Sequence, residues 1–240
     1  MQDFSMITER FTEHKGFILE THLHTKTSSA CSSLRPEVAI KMYKKAGYDG
    51  VIITDHFMTG NTSVDKTLPW EEQVDSFFEG FEQAKAAGEI EGIKVFEGLE
   101  YSDYGTDFIV LGLDRDWIKA HPEMTKMEPE EFLPFFREAG ATIIQAHPFR
   151  EASYIREVRV YPDYVDAIEV YNIGNHNSEF DHKAYDLAVE YHKPMTAGSD
   201  CHHFGDENFG AGIMINKEPR DINDLCNIIK EGKDYKYFGG

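Results

Sequence analysis

The sequence places histidines and carboxylates at the ends of short apolar segments that are typical of β-strands. His22 and His24 end the first such segment, where alternate residues of a strand share one face. Five further candidates follow later segments: His56, Glu100, His147, Asp200 and His202. Because imidazole and carboxylate groups bind Zn²⁺, Mn²⁺ or Fe²⁺, this pattern predicts a divalent metal centre.

Several neighbouring residues are assigned other roles. Asp200 and His202 repeat the i, i+2 spacing, so an extended backbone would turn both to one side and His203 away from it. His203 is a secondary candidate for proton transfer, and His176 is a secondary candidate for lining the pocket. Asp55 precedes His56 and is expected to point away from the metal, as a carboxylate that supports the ligands or the fold. The remaining histidines are expected on the surface: His14, His121, His182 and His192.

The apolar segments alternate with amphipathic helices. Strands are predicted at 16–25, 50–55, 93–100, 107–113, 141–147, 165–171, 194–199 and 210–215. Helices are predicted at 36–46, 70–87, 130–139 and 221–230, with another carrying Tyr185, Ala188 and Val189. Continuous apolar strands between helices indicate a parallel sheet, and seven or eight of them favour a closed α/β barrel with its site at the carboxyl ends.

Composition limits the classes of function. The 240 residues are 41% hydrophobic, which excludes overall disorder, and no apolar run is long enough to span a bilayer. Residues 1–10 lack a secretion-signal pattern and the three cysteines form no CxxC pair, so we expect a cytoplasmic protein with reduced thiols. The net charge of −19 disfavours general nucleic-acid binding, and no phosphate-binding glycine loop occurs.

Five motifs, in this order, resemble those of the PHP (polymerase and histidinol phosphatase) domain family: ETHLHT at 20–25, ITDH at 53–56, EGLE at 97–100, AHP at 146–148 and GSDCH at 198–202. They lie within about residues 17–216 of a chain expected to form a single domain over 1–240. The resemblance implies an α/β fold, a distorted (β/α)7 TIM-like barrel, that holds two or three divalent ions and hydrolyses phosphoesters.

The resemblance also implies how the ligands are shared. One ion would be bound by His22, His24, Glu100 and Asp200. Glu100 would bridge to a second ion that His147 also holds, and His56 and His202 would hold a third.

The sequence departs from the family pattern in two places. The segment 26–31 lacks the His or Asp that often follows the first motif; Cys31 is a candidate substitute ligand there, although we expect a buried loop thiol. A further His is often found after the third strand, and here the nearby residues are Asp107, Asp114 and His121. Whether the site binds a third ion therefore stays open.

The leading hypothesis is hydrolysis of a small phosphomonoester by a metal-activated water. Arg150 is the main candidate to hold the phosphate, and Lys26 is the second. The loops 58–68, 117–127 and 150–161 are expected to select the substrate. Three alternatives remain: a histidinol-phosphate phosphatase, a metal-binding scaffold that has lost catalysis, and a metal-dependent amidohydrolase. The oligomeric state is not indicated.

Overall fold

A computed structural model describes residues 4–5, 7–11 and 15–239, so His14 lies outside the described residues. This part of the chain contains nine strands: β1 (Phe17–Leu23), β2 (Gly50–Ile53), β3 (Lys94–Asp103), β4 (Thr106–Leu111), β5 (Thr142–Ala146), β6 (Ala167–Asn172), β7 (Met195–Gly198), β8 (Gly212–Ile215) and β9 (Tyr235–Phe238). It also contains six α-helices: α1 (Pro36–Ala46), α2 (Trp70–Glu91), α3 (Arg115–Ala120), α4 (Pro129–Glu138), α5 (Ser178–Glu190) and α6 (Ile222–Glu231).

The described strands form one sheet in the order β7-β6-β5-β4-β3-β2-β1-β8-β9. The amino-terminal half of β1 pairs with β8, whereas its carboxyl end meets the chain that follows β7. There Leu23 forms a parallel bridge with Cys201, and the Asp200 amide donates to the His22 carbonyl at 2.9 Å. The strands β1 to β7 therefore make a nearly closed, barrel-like sheet, which confirms the predicted fold class.

The prediction of an all-parallel sheet was wrong. β4 runs antiparallel to both β3 and β5, and β8 and β9 are also antiparallel to their neighbours. The cause lies between β3 and β4, where the two-residue turn Tyr104-Gly105 replaces a helical crossover. Both turn residues have positive φ, 48° and 86°, as tight hairpins of this kind require.

Some predicted boundaries and faces also differ. α2 continues past 87 to Glu91. Gly88 lies inside the helix, where an added Cβ would meet Val95 of β3 at 2.6 Å. On α5, Tyr185 and Val189 are exposed, and the helix instead buries Phe180, Ala184, Leu187 and Ala188. The short elements α3 and β9 were not predicted.

The interior of the barrel is filled by apolar side chains from successive strands. One cluster of buried residues contains Leu19, Ile52, Phe96, Ile109, Ile144, Ala167 and Ile213, contributed by β1 to β6 and β8. Side chains supplied in turn by the strands around a barrel pack as its core. This packing fixes the strand ends that carry the polar residues.

A second core cluster, rich in aromatic residues, supports β3 and β4 from outside. Phe132 of α4 is fully buried, with its ring centroid 4.5 Å from that of Tyr101 and 5.6 Å from that of Phe108. We expect Phe132→Ala to lower the free energy of unfolding by about 3–5 kcal/mol, since it leaves a cavity under β3. Ile90→Ala, at a position 83% exposed on α2, should change it by less than about 0.5 kcal/mol. Denaturant titration compares the two, and similar losses would contradict this account of the core.

Candidate metal centre

The seven side chains singled out in the sequence meet at the carboxyl-terminal mouth of the barrel. His22 and His24 of the first motif are completely buried, with their Nε2 atoms 3.1 Å apart. Leu23 between them packs in the core on the other side. The rings of His147 and His202 stack on this pair, His147 on His22 and His202 on His24, at centroid distances of 5.6 and 4.2 Å.

Glu100 occupies the middle of this group and is completely buried. Its Oε1 atom lies 3.2 Å from Nε2 of His22 and 3.4 Å from Nε2 of His147. Its Oε2 atom lies 2.5 Å from Nδ1 of His56 and 3.6 Å from Nε2 of His24. Glu100 belongs to β3 itself rather than following the strand, because β3 continues to Asp103.

The geometry around Glu100 fits a cation better than a hydrogen-bond network. Neither carboxylate oxygen of Glu100 has a hydrogen-bond partner, and Nδ1 of His56 also has none. Buried charged groups without partners are costly unless they are paired or coordinate a metal. Imidazole and carboxylate donors at a common point are the ligand types that divalent transition metals prefer.

Asp200 reaches the cluster through a backbone conformation that the sequence did not indicate. Its φ of 54° lies in the left-handed region, so the expected extended geometry of the segment 200–202 was wrong. Oδ1 of Asp200 still lies 3.2 Å from His24 Nε2 and 3.5 Å from His22 Nε2. His147 has a φ of 28° as well. Backbone strain of this kind persists where the surrounding structure imposes it, and it concentrates at functional sites.

Four groups of three side chains present ligand atoms within 4.8 Å of one another among the described residues: His22–His24–Glu100, His22–His147–Asp200, Glu100–Asp107–His147 and His24–His56–His202. The third group contains Asp107, which the sequence offered only as an unconvincing match. The antiparallel pairing of β3 with β4 brings it here, since Asp107 lies on the strand next to Glu100. A prediction of parallel strands could not bring Asp107 to this site.

Carboxylates behind the cluster orient its histidines. Glu169 Oε1 lies 3.0 Å from Nδ1 of His22, which leaves Nε2 of that ring facing Glu100. Glu169 Oε2 accepts from the His147 amide at 3.0 Å. Asp55 points away from the cluster and accepts from the Thr25 and Ser29 hydroxyls. Sequence reasoning missed Glu169, although a charged residue inside the apolar strand β6 was a signal that could have found it.

The histidines experience different electrostatic environments. Burial opposes charge on His22, but the carboxylates of Glu169, Asp200 and Glu100 raise its pKa well above the usual value. Burial and the nearby His202 and His56 lower the pKa of His24 well below its usual value. The pKa of Glu100 is held well below its usual range by His56 and His22 in spite of its burial. Negative charge at Glu100 therefore faces a neutral imidazole at His24, whereas the carboxylates around His22 favour its protonated form, which would lose its proton on binding a metal.

We expect Glu169→Gln to weaken metal binding by about 10–100-fold, the usual effect of losing such a supporting carboxylate. A glutamine can offer oxygen to His22 or to the His147 amide, but its NH₂ group would then oppose the other donor. Zn²⁺ titration by calorimetry measures the loss. Glu179→Gln, at an exposed glutamate on α5, should bind as the wild type does. Equal affinity in the two variants would contradict the orienting role of Glu169.

The cluster opens into a cleft of about 1260 Å³. All three loops expected to select the substrate contribute to its lining, for example through Met58, Lys126 and Tyr154. Lys26 is exposed and does not line the cleft, whereas Lys66 and Lys126 do. His176 and His203 are also exposed and outside the lining, and His203 Nδ1 lies 3.0 Å from the Ser33 hydroxyl.

Arg150 lines the cleft, but its guanidinium is already hydrogen-bonded to other residues of the protein. Its guanidinium donates to Asp200 Oδ2 at 2.6 Å, Asn172 Oδ1 at 2.7 Å and Asn175 Oδ1 at 2.9 Å. These bonds fix the carboxylate of Asp200 against the cluster. Contact between Arg150 and a phosphate stays a prediction.

The expectation that Cys31 is a buried thiol was wrong. The loop between β1 and α1 turns Cys31 toward the cleft, where it is exposed and within hydrogen-bonding reach of His202 and His56. Burial would raise the pKa of Cys31, but the hydrogen bonds with these histidines lower it to about 6.

Comparison with known proteins agrees with this architecture. A family model described as PHP-associated matches residues 178–233. A two-domain protein from Bacteroides vulgatus containing a predicted PHP-like metal-dependent phosphoesterase is 15% identical, with a TM-score of 0.68 over 99% of this chain and 69% of that one. No curated protein matches the chain.

Two further solved structures share the fold. A putative metal-dependent phosphoesterase from Bifidobacterium adolescentis is 14% identical, with a TM-score of 0.50 over 79% of this chain and 88% of that one. An amidohydrolase from Chromobacterium violaceum with bound sulfate and no metal is 18% identical, with a TM-score of 0.52 over 79% and 89%. Together these matches confirm the resemblance to the PHP domain family. None of the helices in the described residues has the length and apolar character to cross a membrane.

Proposed function

We propose that this protein is a metal-dependent phosphoesterase that acts on a small phosphomonoester. The observation that carries the proposal is Glu100, whose two buried oxygens have no hydrogen-bond partner and face the nitrogens of different histidines, Oε1 that of His22 and Oε2 that of His56. A carboxylate in that position is suited to bridge two cations. Two proteins of similar fold are described as metal-dependent phosphoesterases, one of them as predicted and the other as putative.

In this proposal the ligands divide around Glu100. His22, His24 and Asp200 would hold one ion with Glu100, and His147 and Asp107 would hold a second with it. His56 and His202 belong to a third position beside His24. When bound, such ions activate a water molecule and neutralise charge on a phosphoryl oxygen.

The protein's own residues then position the substrate. His22 and His24 are completely buried at the closed end of the site and do not line the cleft. The cleft is lined by Glu100, Asp107, His147 and Asp200. Arg150 holds the carboxylate of Asp200 in place through its 2.6 Å bond. Lys66 and Lys126 are the exposed cations of the cleft lining and can attract an anionic substrate into an otherwise acidic protein.

Amide hydrolysis is the second candidate, since an amidohydrolase shares the fold. Amidohydrolases of this kind usually place a bridging lysine at the end of a middle strand. Here Lys66 lies on a loop and Lys126 ends a short 3₁₀ helix, so neither lysine of the cleft lies at a strand end, and Glu100 would take the bridging position instead. The phosphoester reading is therefore preferred.

The test is release of inorganic phosphate from a panel of phosphomonoesters, including sugar phosphates, nucleotides and histidinol phosphate, with Mn²⁺ or Zn²⁺. We expect release that the double variant His22→Ala/His24→Ala abolishes and that the exposed pair His182→Ala/His192→Ala leaves unchanged. Hydrolysis of an amide panel without phosphate release would replace the proposal with the amidohydrolase. Bound metal without either activity would point to a scaffold that has lost catalysis.

A further inference from the structure

The hydroxyl of Ser29 lies between the candidate metal centre and the buried carboxylate of Asp55. Ser29 belongs to the loop between β1 and α1 and is completely buried. Its Oγ atom lies 2.7 Å from Asp55 Oδ1, 3.0 Å from the His56 amide nitrogen and 3.1 Å from Nδ1 of His24. Ser29 therefore connects two candidate ligands to a carboxylate that the proposed function does not use.

The donors and acceptors around Ser29 can be assigned from their chemistry. A serine hydroxyl has one proton and an ionised carboxylate can only accept, so Ser29 donates to Asp55. A backbone amide can only donate, so Ser29 accepts from His56. Because its one proton is already used, the hydroxyl must accept from His24 too, which puts the ring hydrogen of His24 on Nδ1. Nε2 of His24 then carries a lone pair, and it points into the centre, 3.2 Å from Asp200 Oδ1.

The carboxylate of Asp55 is itself held in place. Its Oδ1 accepts from the Thr25 amide at 2.5 Å, and its Oδ2 accepts from the Thr25 hydroxyl at 2.7 Å. The Ser29 amide donates to the Thr25 carbonyl at 2.9 Å, which fixes the serine as well. Helix α2 closes over this group, since a Cβ added at Gly80 would lie 2.7 Å from Thr25 Oγ1 and 2.8 Å from Asp55 Oδ2. Thr25, Ser29 and Asp55 are at most 2% exposed, so their hydrogen bonds are shielded from solvent.

We propose that Ser29 is a positioning residue of the metal centre, whose hydroxyl, held by Asp55, keeps His24 in the tautomer with Nδ1 protonated and Nε2 free to bind the ion. The inference rests on the proposed metal centre. A histidine that binds a metal usually donates its other ring N–H to a carboxylate or a carbonyl, which fixes its tautomer and orientation. Here a serine hydroxyl stands between the imidazole and the carboxylate, and the same hydroxyl also holds the backbone of His56.

The first measurement is the tautomer of His24 in the metal-free protein, read by ¹⁵N NMR of the histidine rings, with the His24 signals assigned by their absence from His24→Gln. We expect the hydrogen on Nδ1 in the wild type. In Ser29→Ala the acceptor for Nδ1 is lost, so the tautomer with the hydrogen on Nε2 should become populated, because Asp200 Oδ1 is then the remaining acceptor. A wild-type protein with the hydrogen on Nε2 would overturn the inference, whether or not the variant folds.

The second measurement is Zn²⁺ titration by calorimetry. Ser29→Ala should weaken binding by about 10–100-fold, the usual loss when a residue that orients a metal ligand is replaced. Ser28→Ala is the matched control, because Ser28 is the neighbouring serine, is equally buried, and donates its hydroxyl to the Phe77 carbonyl of α2. It removes a buried hydrogen bond from the same loop without contacting a candidate ligand, and it should bind Zn²⁺ as the wild type does.

The outcomes separate this inference from the proposal on which it rests. Equal Zn²⁺ affinity in the wild type and Ser29→Ala would overturn the positioning role and leave the metal centre standing. Equal losses of affinity in Ser29→Ala and Ser28→Ala would also overturn it, since Ser29 would then act only through the stability of its loop. A wild-type protein that binds no Zn²⁺ would overturn the metal centre and this inference together.

Discussion

Replacing Glu100 with glutamine is expected to abolish metal-dependent phosphate release, with a fall of about 10³-fold or more. Loss of one electrostatic contact at a reacting centre typically costs about 10²–10³-fold, and Glu100 faces four histidines that lie on both sides of its carboxylate. A neutral amide also presents an NH₂ group to a position that needs an acceptor. Steady-state phosphate release and elemental analysis of bound metal measure the two consequences.

Glu97→Gln is the matched control for Glu100→Gln. It lies on the same strand three residues earlier, but its carboxylate pairs with Arg115 at the surface, with 2.9 Å to the Arg115 Nε. We expect wild-type metal content and activity. A Glu100→Gln protein that folds, retains its metal and hydrolyses substrate at the wild-type rate would contradict the bridging role.

Metal binding is expected to raise the thermal stability substantially. The folded chain gathers five histidines and three carboxylates in a largely buried cluster that the unfolded chain does not preserve. An ion at about 1,000 times its dissociation constant stabilises the native state by about 4 kcal/mol. For a chain of this length each kcal/mol shifts Tm by about 2–4 °C, so Zn²⁺ should raise Tm by roughly 8–16 °C over protein treated with chelator.

Differential scanning calorimetry with and without Zn²⁺ measures this shift. The double variant His22→Ala/His24→Ala should show almost no response, because two of the most buried ligands are absent. A wild-type Tm that does not change with Zn²⁺, or one that rises equally in the double variant, would show that these residues do not form the principal site.

The sequence predicted well which strands carry the candidate ligands, because each of these polar residues stands out against an apolar segment. His22 and His24 could be placed by strand periodicity alone, and their separation by Leu23 in the core follows from it. The barrel as a class followed from the alternation of strands and helices. Both inferences rest on patterns among residues that are close together in the sequence.

Three other features were not predicted, one of them a local turn and two of them set by tertiary contacts. The hairpin turn at Tyr104-Gly105 reverses β4 and brings Asp107 beside Glu100. The positive φ of Asp200 is imposed by pairing of the segment 199–201 with β1 and by the bond from Arg150. The exposure of Cys31 follows from hydrogen bonds of its loop to residues 61 and 202. The conformation of Asp200 and the exposure of Cys31 were missed because their partners lie far away in the sequence. The hairpin is local, and the glycine of its two-residue turn was a signal that could have found it.

The most direct measurement is anomalous X-ray scattering from crystals of the Zn²⁺-loaded protein, collected on both sides of the zinc absorption edge. We expect zinc peaks on both sides of the Glu100 carboxylate, one beside His22 and His24 and another beside His147. Fully loaded crystals with no anomalous peak within coordination distance of Glu100 would contradict the metal centre, and with it the proposed function.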